Sequence, residues 1–245
     1  MNRDSSPLRY LPYQARDVAA GPLALFVAIT IGLTLVLWRF FADSTTISDN
    51  PALFLTGTLS VYQTIAILFA TGGVAGVDIQ RGFYRAWFSK PIAPWLFYLQ
   101  RWLLGGIAVL LIPVMLGSGL SLLYGNGTGI TWALIGSLSL AYLLVGGLVL
   151  LCSNFMERDW LVVFLITFLQ ARLHQMLGLF EQLGQEIAPL LILTDRLLPP
   201  FHLVAPSAGL PSGSELLHVL GYGGGVLAVA LLLFRHRPLG SGGRA

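Results

Sequence analysis

Long apolar runs separated by short charged or polar stretches set the pattern of this 245-residue chain. Six runs stand out, over residues 21–38, 52–77, 102–124, 130–152, 160–178 and 216–234. A helix of about 20 mostly apolar residues crosses the ~30 Å hydrocarbon core of a bilayer, and the runs have that length. None alternates polar and apolar positions as a barrel strand does, so the pattern predicts helices. The fifth run is clearly apolar only to Leu169 and is then interrupted by Arg172 and His174. Pro113 lies inside the third and Gly223-Gly224-Gly225 inside the sixth, as membrane helices allow. Gly117, Gly119, Gly136, Gly146 and Gly147 are expected where helices approach closely.

Three segments outside the runs carry their own patterns. Residues 8–20 mix Leu8, Tyr10, Leu11, Tyr13 and Val18 with Arg9, Arg16 and Asp17, which predicts an amphipathic helix at the membrane interface. Residues 78–101 crowd Arg81, Arg85, Lys90 and Arg101 among Phe83, Tyr84, Trp87, Phe88, Trp95, Phe97 and Tyr98. A helical turn, a break at Pro91 and Pro94, and entry into the third span is the expected course there. Residues 186–206 are neither a clean span nor a polar loop, because Thr194-Asp195-Arg196 and Pro199-Pro200 interrupt the apolar stretch. Such a segment is expected to be re-entrant, entering the bilayer without crossing it.

Composition agrees with this pattern. Only 10% of residues are charged and 56% are hydrophobic, with a mean hydropathy of +0.77. A soluble chain carries roughly 25% charged residues. The formal net charge of +3 is too small to point to nucleic acid. A single cysteine, Cys152, excludes an internal disulfide and a cysteine-rich zinc site. Charge also gives an orientation. With the N-terminus inside, Arg39, Arg172 and Arg196 fall outside and the other 11 of the 14 Lys and Arg residues fall inside. The positive-inside rule then places both termini in the cytoplasm, which requires an even number of spans. No cleavable leader is read at the N-terminus, so the first span is expected to serve as an uncleaved anchor. The expected fold is an all-α integral membrane protein of the cell membrane. It has one domain over residues 1–245, six transmembrane helices, an N-terminal interfacial helix and a re-entrant segment before the last span.

The stretch after the second run has a more specific shape. Asp78, then Arg81-Gly82, then Ser89-Lys90-Pro91-Ile92, then Arg101 resembles the permease subunit of type-2 ATP-binding cassette exporters. That family has an acidic residue, a basic residue and glycine after its second span, then a Ser/Thr-x-Pro-Ile element and a basic residue entering the third. It more often has Glu where this chain has Asp78, and leucines where this chain has Phe83-Tyr84-Arg85-Ala86-Trp87. The layout of spans and Leu198-Pro199-Pro200-Phe201-His202-Leu203 are also similar to the family.

The resemblance implies a division of labour. ATP and Mg would be bound by a separate ATPase subunit, consistent with the absence of a G-x-x-x-x-G-K-[ST] loop here. This chain would bind no cofactor and no metal, catalyse nothing itself, and work as a homodimer or heterodimer of permeases. Asp78, Arg81, Gly82, Phe83, Tyr84, Arg85, Trp87 and Phe88 would form the element that seats in the ATPase, with Pro91 and Pro94 stiffening the lever to the third span. Thr56, Gln63, Thr64, Thr167 and Gln170 would face the pathway, although a membrane threonine often bonds back to its own helix. Arg172, Pro199 and Pro200 would stand near an outer gate. Other classes fit parts of the chain. A secondary transporter needs ionisable groups within its spans, and the middles of the first four have none. An intramembrane enzyme would have to use Ser118 of Gly117-Ser118-Gly119 with a histidine on a facing helix. A b-type haem protein needs two facing axial histidines, from a set of His174, His202, His218 and His236.

Overall fold

The computed structural model describes residues 10–41, 49–72, 74–81, 93–125, 127–182 and 199–236. Among them the chain is helical throughout, with no strand. Helix α1 spans Leu11–Ala20 and α2 spans Pro22–Phe41. Gly21, in extended backbone, and Pro22 at the first helical position separate the two, because proline starts a helix but cannot continue one. α3 spans Pro51–Thr71, and a short helix, α4, follows over Val74–Gln80. α5 runs from Pro94 to Tyr124. α6 occupies Trp132–Cys152 and includes one π-helical stretch at Tyr142–Gly146. α7 spans Asp159–Gln182 and α8 spans Gly213–His236. Two 3-10 turns, Phe201–Val204 and Pro206–Ala208, precede α8.

Five of these helices, α2, α3 continuing through α4, α5, α6 and α8, are long and apolar enough to cross a membrane. α7 has 24 residues, with an apolar first half and Gln170, Arg172, His174 and Gln175 in the second. The expected boundaries move most at the third run. There the helix starts at Pro94, before the expected residue 102, because Pro94 sits at its first turn and Ala93 is extended. At 31 residues, α5 is roughly 46 Å long, and its first turns therefore project beyond a ~30 Å core. The second run is divided, since α3 ends at Thr71, the chain turns at Gly72 and α4 follows over Val74–Gln80. Of the expected re-entrant stretch, residues 186–198 lie outside the described residues; the remainder forms the two 3-10 turns.

α6 is the centre of the bundle. Within its apolar window 72% of residues are buried inside the protein, against 17% for α8 and 28% for α2. The outer helices turn an apolar stripe away from the protein: Leu25, Ile29 and Leu33 on α2, Leu103, Ile107 and Leu111 on α5, and Val229 and Leu232 on α8 are all exposed. Exposed apolar faces on helix after helix suit a lipid exterior and would not be tolerated in water. Several hydroxyls inside the helices bond to their own helix. The hydroxyls of Thr56, Thr58 and Thr71 each donate to the carbonyl four residues earlier, at 2.7–3.0 Å.

The two ends of the bundle are tied separately. At one end Tyr124 Oη donates to the Trp38 carbonyl at 2.5 Å, and Gly129 packs on the Pro51 carbonyl. At the other, Asp17 pairs with Arg101 at 3.3 Å and Arg81 with Glu157 at 2.6 Å. The grouping is the one that alternating spans require.

Small residues set how near the helices come. A Cβ on Gly105 of α5 would lie 2.9 Å from the Ala70 carbonyl oxygen on α3 and 2.8 Å from Tyr142 Oη on α6. A Cβ on Gly106 would lie 2.9 Å from the Tyr142 ring. Gly117, Gly119, Gly136 and Gly146 are equally tight against neighbouring segments, as expected, whereas Gly147 has ordinary contact distances. Gly105→Leu therefore drives a side chain into backbone, and overpacking of this kind costs about 1–3 kcal/mol. Its melting temperature in detergent should fall by several degrees. Gly57→Leu, on α3 with nothing within 4 Å of its Cβ position, should melt with the wild type. Equal melting of the two variants would show that the α5 contact is not tight.

Candidate functional site

The charged and aromatic connection between the second and third runs emerges beside a second turn of the chain. Gly72 N–H closes α3 on the Leu68 carbonyl at 2.7 Å. α4 then lays Ala75 and Ile79 against Phe97 and Tyr98 of α5, Leu150 of α6, and Ala230 and Phe234 of α8. Gly76 brings α4 onto the turn between α6 and α7. A Cβ there would lie 2.6 Å from the Met156 carbonyl oxygen and 3.1 Å from Asp159 Oδ2. Backbone meets backbone, so this junction has no room for a side chain and no slack. At the end of α4, Arg81 places Nε at 2.9 Å and Nη2 at 2.6 Å from Glu157 Oε1. Both side chains are largely exposed, and such a pair contributes about 0.2–1 kcal/mol.

The turn that receives α4 is itself held by a buried carboxylate. Asp159 is fully buried at the first turn of α7. Its Oδ1 accepts from Trp160 N–H at 2.7 Å, and its Oδ2 accepts from the Ser153 hydroxyl. Negative charge is favoured at a helix start. The Ser153 hydroxyl also lies 2.8 Å from the Val149 carbonyl, and the Asn154 amide donates to the Leu150 carbonyl. The turn is thereby fastened to the end of α6.

A third contact joins α1 to the same end. The buried Gln14 donates through Nε2 to the Phe97 carbonyl at 3.1 Å, and Asp17 pairs with Arg101. Asp78 sits in the last turn of α4, half-buried. A helix end disfavours negative charge, and the compensating cation is Arg101, with Asp17 as a second carboxylate in the same field.

Of the expected coupling residues, Asp78 and Arg81 are thus brought together with Arg101 and Glu157. Gly82, Phe83, Tyr84, Arg85, Trp87, Phe88 and Pro91 lie outside the described residues. Pro94 opens α5.

The expected pathway residues separate into two kinds. Thr56 and Thr167 donate to carbonyls of their own helices, Thr167 to Val163 at 3.0 Å and Phe164 at 2.8 Å. Thr64 is half-buried on α3. Gln63 and Gln170 are buried and reach further. Gln63 Nε2 donates to the Val204 carbonyl at 3.4 Å, and Gln170 Nε2 to the Pro199 carbonyl at 2.5 Å. Two amides, one on α3 and one on α7, therefore hold the 199–204 segment to the bundle. Both Gln63 Oε1 and Gln170 Oε1 are buried without a partner among the described residues. Arg172 places its guanidinium 5.2 Å above the Phe168 ring on the preceding turn of α7.

Sequence reading missed Glu157, Ser153 and Asp159. An acidic residue directly before the apolar run that starts at Trp160 was the available signal. Gln14 gave none, because a polar residue in an amphipathic helix reads as solvent-facing until its neighbour is known. No family model, curated protein or solved structure matches this chain.

Proposed function

We propose that this chain is the membrane-spanning permease subunit of a type-2 ATP-binding cassette exporter, powered by a separate ATPase subunit. In this reading it crosses the membrane six times, with α7 as the fifth crossing and both termini in the cytoplasm. Two permease copies form the pathway, and ATP and Mg reside on the partner. The observation that carries the proposal is the seating of α4 on the turn between α6 and α7. The segment proposed to engage the ATPase follows directly on Arg81, whose partner is Glu157 of that turn. A displacement of residues 82–92 would reach two spans at once, α3 through Gly72 and α7 through Asp159.

The six-span reading is supported by length and by charge. α7, with 24 residues, is roughly 36 Å long, enough to cross a ~30 Å core. The end that carries Asp17, Arg101, Arg81 and Glu157 is the end that the Lys and Arg distribution places inside. Gln63 and Gln170, which hold the 199–204 segment, lie on spans assigned to the pathway. In this reading they position the outer gate and are reached by substrate only when that segment moves.

Two experiments test the proposal. Purified from its native membrane under mild conditions, the chain should bring down an ATPase subunit that carries a Walker A motif. Arg85→Ala with Trp87→Ala should reduce recovery of the ATPase by at least about tenfold, because aromatic and arginine anchors dominate interfaces. An intact complex in that double variant would refute the coupling assignment. For topology, Cys152→Ala leaves no native cysteine. Gly127→Cys should then react with a membrane-impermeant maleimide on intact cells, and Arg158→Cys only after permeabilisation. Gly127 has open space around it and Arg158 is exposed. The reverse labelling pattern would overturn the orientation.

A further inference from the structure

A cavity of about 580 Å³ opens between the α1–α2 elbow, α3, α5 and α7. Its rim is polar, with Asp17, Arg101 and Gly72, and its body is apolar, with Leu23, Ile65, Phe69 and Phe164. The volume is in the range of small-molecule sites, which run roughly 300–1,000 Å³. From Gly72 to Ile65 the cavity follows α3 for roughly 10 Å. It therefore leads from the charged end of the bundle into the apolar zone.

The rim offers a donor and an acceptor side by side. Arg101 donates to Asp17 through Nη1 at 3.3 Å and keeps about a quarter of its side chain exposed on the cavity wall. Asp17 leaves 62% of its side chain exposed and so has room for a second donor. Asp78 adds a further carboxylate to the field of Arg101. Two carboxylates around one guanidinium oppose a purely anionic head group. A purely cationic one would set like charge against the Arg101 guanidinium on the same rim.

We propose that this cavity binds an amphiphile with a zwitterionic phosphoethanolamine head, its phosphate accepting from Arg101, its ammonium donating to Asp17, and its acyl chain filling the apolar body. The site commits to the intact lipid, since a free head group would leave the Leu23, Ile65 and Phe69 walls empty. The proposal rests on the membrane reading and needs no ATPase.

The test is native mass spectrometry of the delipidated full chain in detergent, offered equal dioleoyl phosphatidylethanolamine and dioleoyl phosphatidylglycerol. The wild type should retain one ethanolamine lipid per chain with a preference of about tenfold, the size expected of one added charge-assisted pair. Arg101→Gln with Asp17→Asn should abolish the preference, and Ile65→Trp should abolish retention. Free phosphoethanolamine at millimolar concentration should not displace the lipid. Equal retention of both lipids by the wild type overturns the proposal without reference to any variant, as does undiminished retention in Ile65→Trp. Displacement by the free head group would overturn the acyl-chain assignment. A chain that stays in membranes through an alkaline wash yet retains no lipid fails the cavity reading alone. Release by the wash fails the membrane reading beneath it.

Discussion

The approach of α5 to α3 and α6 at Gly105 and Gly106 governs the rest of the bundle. Lipid tails are as apolar as leucine, so helices in a bilayer gain little by hiding apolar surface from it. What remains is close packing, and close packing needs positions without a Cβ. Gly105 lets the Ala70 carbonyl of α3 come within van der Waals range of α5. Gly106 makes the space into which Tyr142 turns its ring. The Tyr142 hydroxyl then donates to the Trp102 carbonyl, and the two rings lie 4.9 Å apart. Tyr142 begins the π-helical stretch of α6, where the backbone ladder is locally rearranged. The central helix and its only described irregularity are thus registered against α5 by two missing side chains.

Much of this architecture was legible because a bilayer imposes a length. Apolar runs of about 20 residues can be read directly, and α2, α6 and α8 fall close to where the runs predict them. The ends were harder. Pro94 reads as a break when counted from the charged loop before it, but proline is well placed in a first helical turn. Which meaning holds depends on the extended Ala93, a conformation the sequence does not display. Gly72, inside the expected second run, closes α3 through its N–H on the Leu68 carbonyl.

The site was less legible than the spans because its members are far apart in sequence. Asp78, Arg81 and Arg101 were visible as a local cluster of charge. Glu157, which takes Arg81, and Asp17, which takes Arg101, lie 76 and 84 residues away. No periodicity links such pairs. Gln63 and Gln170 illustrate a second limit. A polar side chain inside a span must bond to something, so both were conspicuous. Whether the partner is substrate or backbone is a matter of tertiary structure, and here each reaches a carbonyl of the 199–204 segment.

The distribution of these polar groups bears on how work could enter the molecule. An ion-coupled carrier needs ionisable groups that change protonation or partner within the membrane. α3 and α6 hold no acidic, basic or histidine side chain, and in α5 the charge is Arg101, near the start of the helix. The ion pairs among the described residues gather at one end, on segments that follow or precede spans: Asp17 before α2, Arg81 after α4, Glu157 before α7. Under the proposed function this is the end where a motor would press. Exposed pairs worth under about 1 kcal/mol each are poor structural fasteners. They can exchange partners without unfolding the protein. The permanent connection is instead the backbone contact of Gly76 on the Met156 carbonyl and the buried Asp159 beside it. A push on α4 would be borne by that contact.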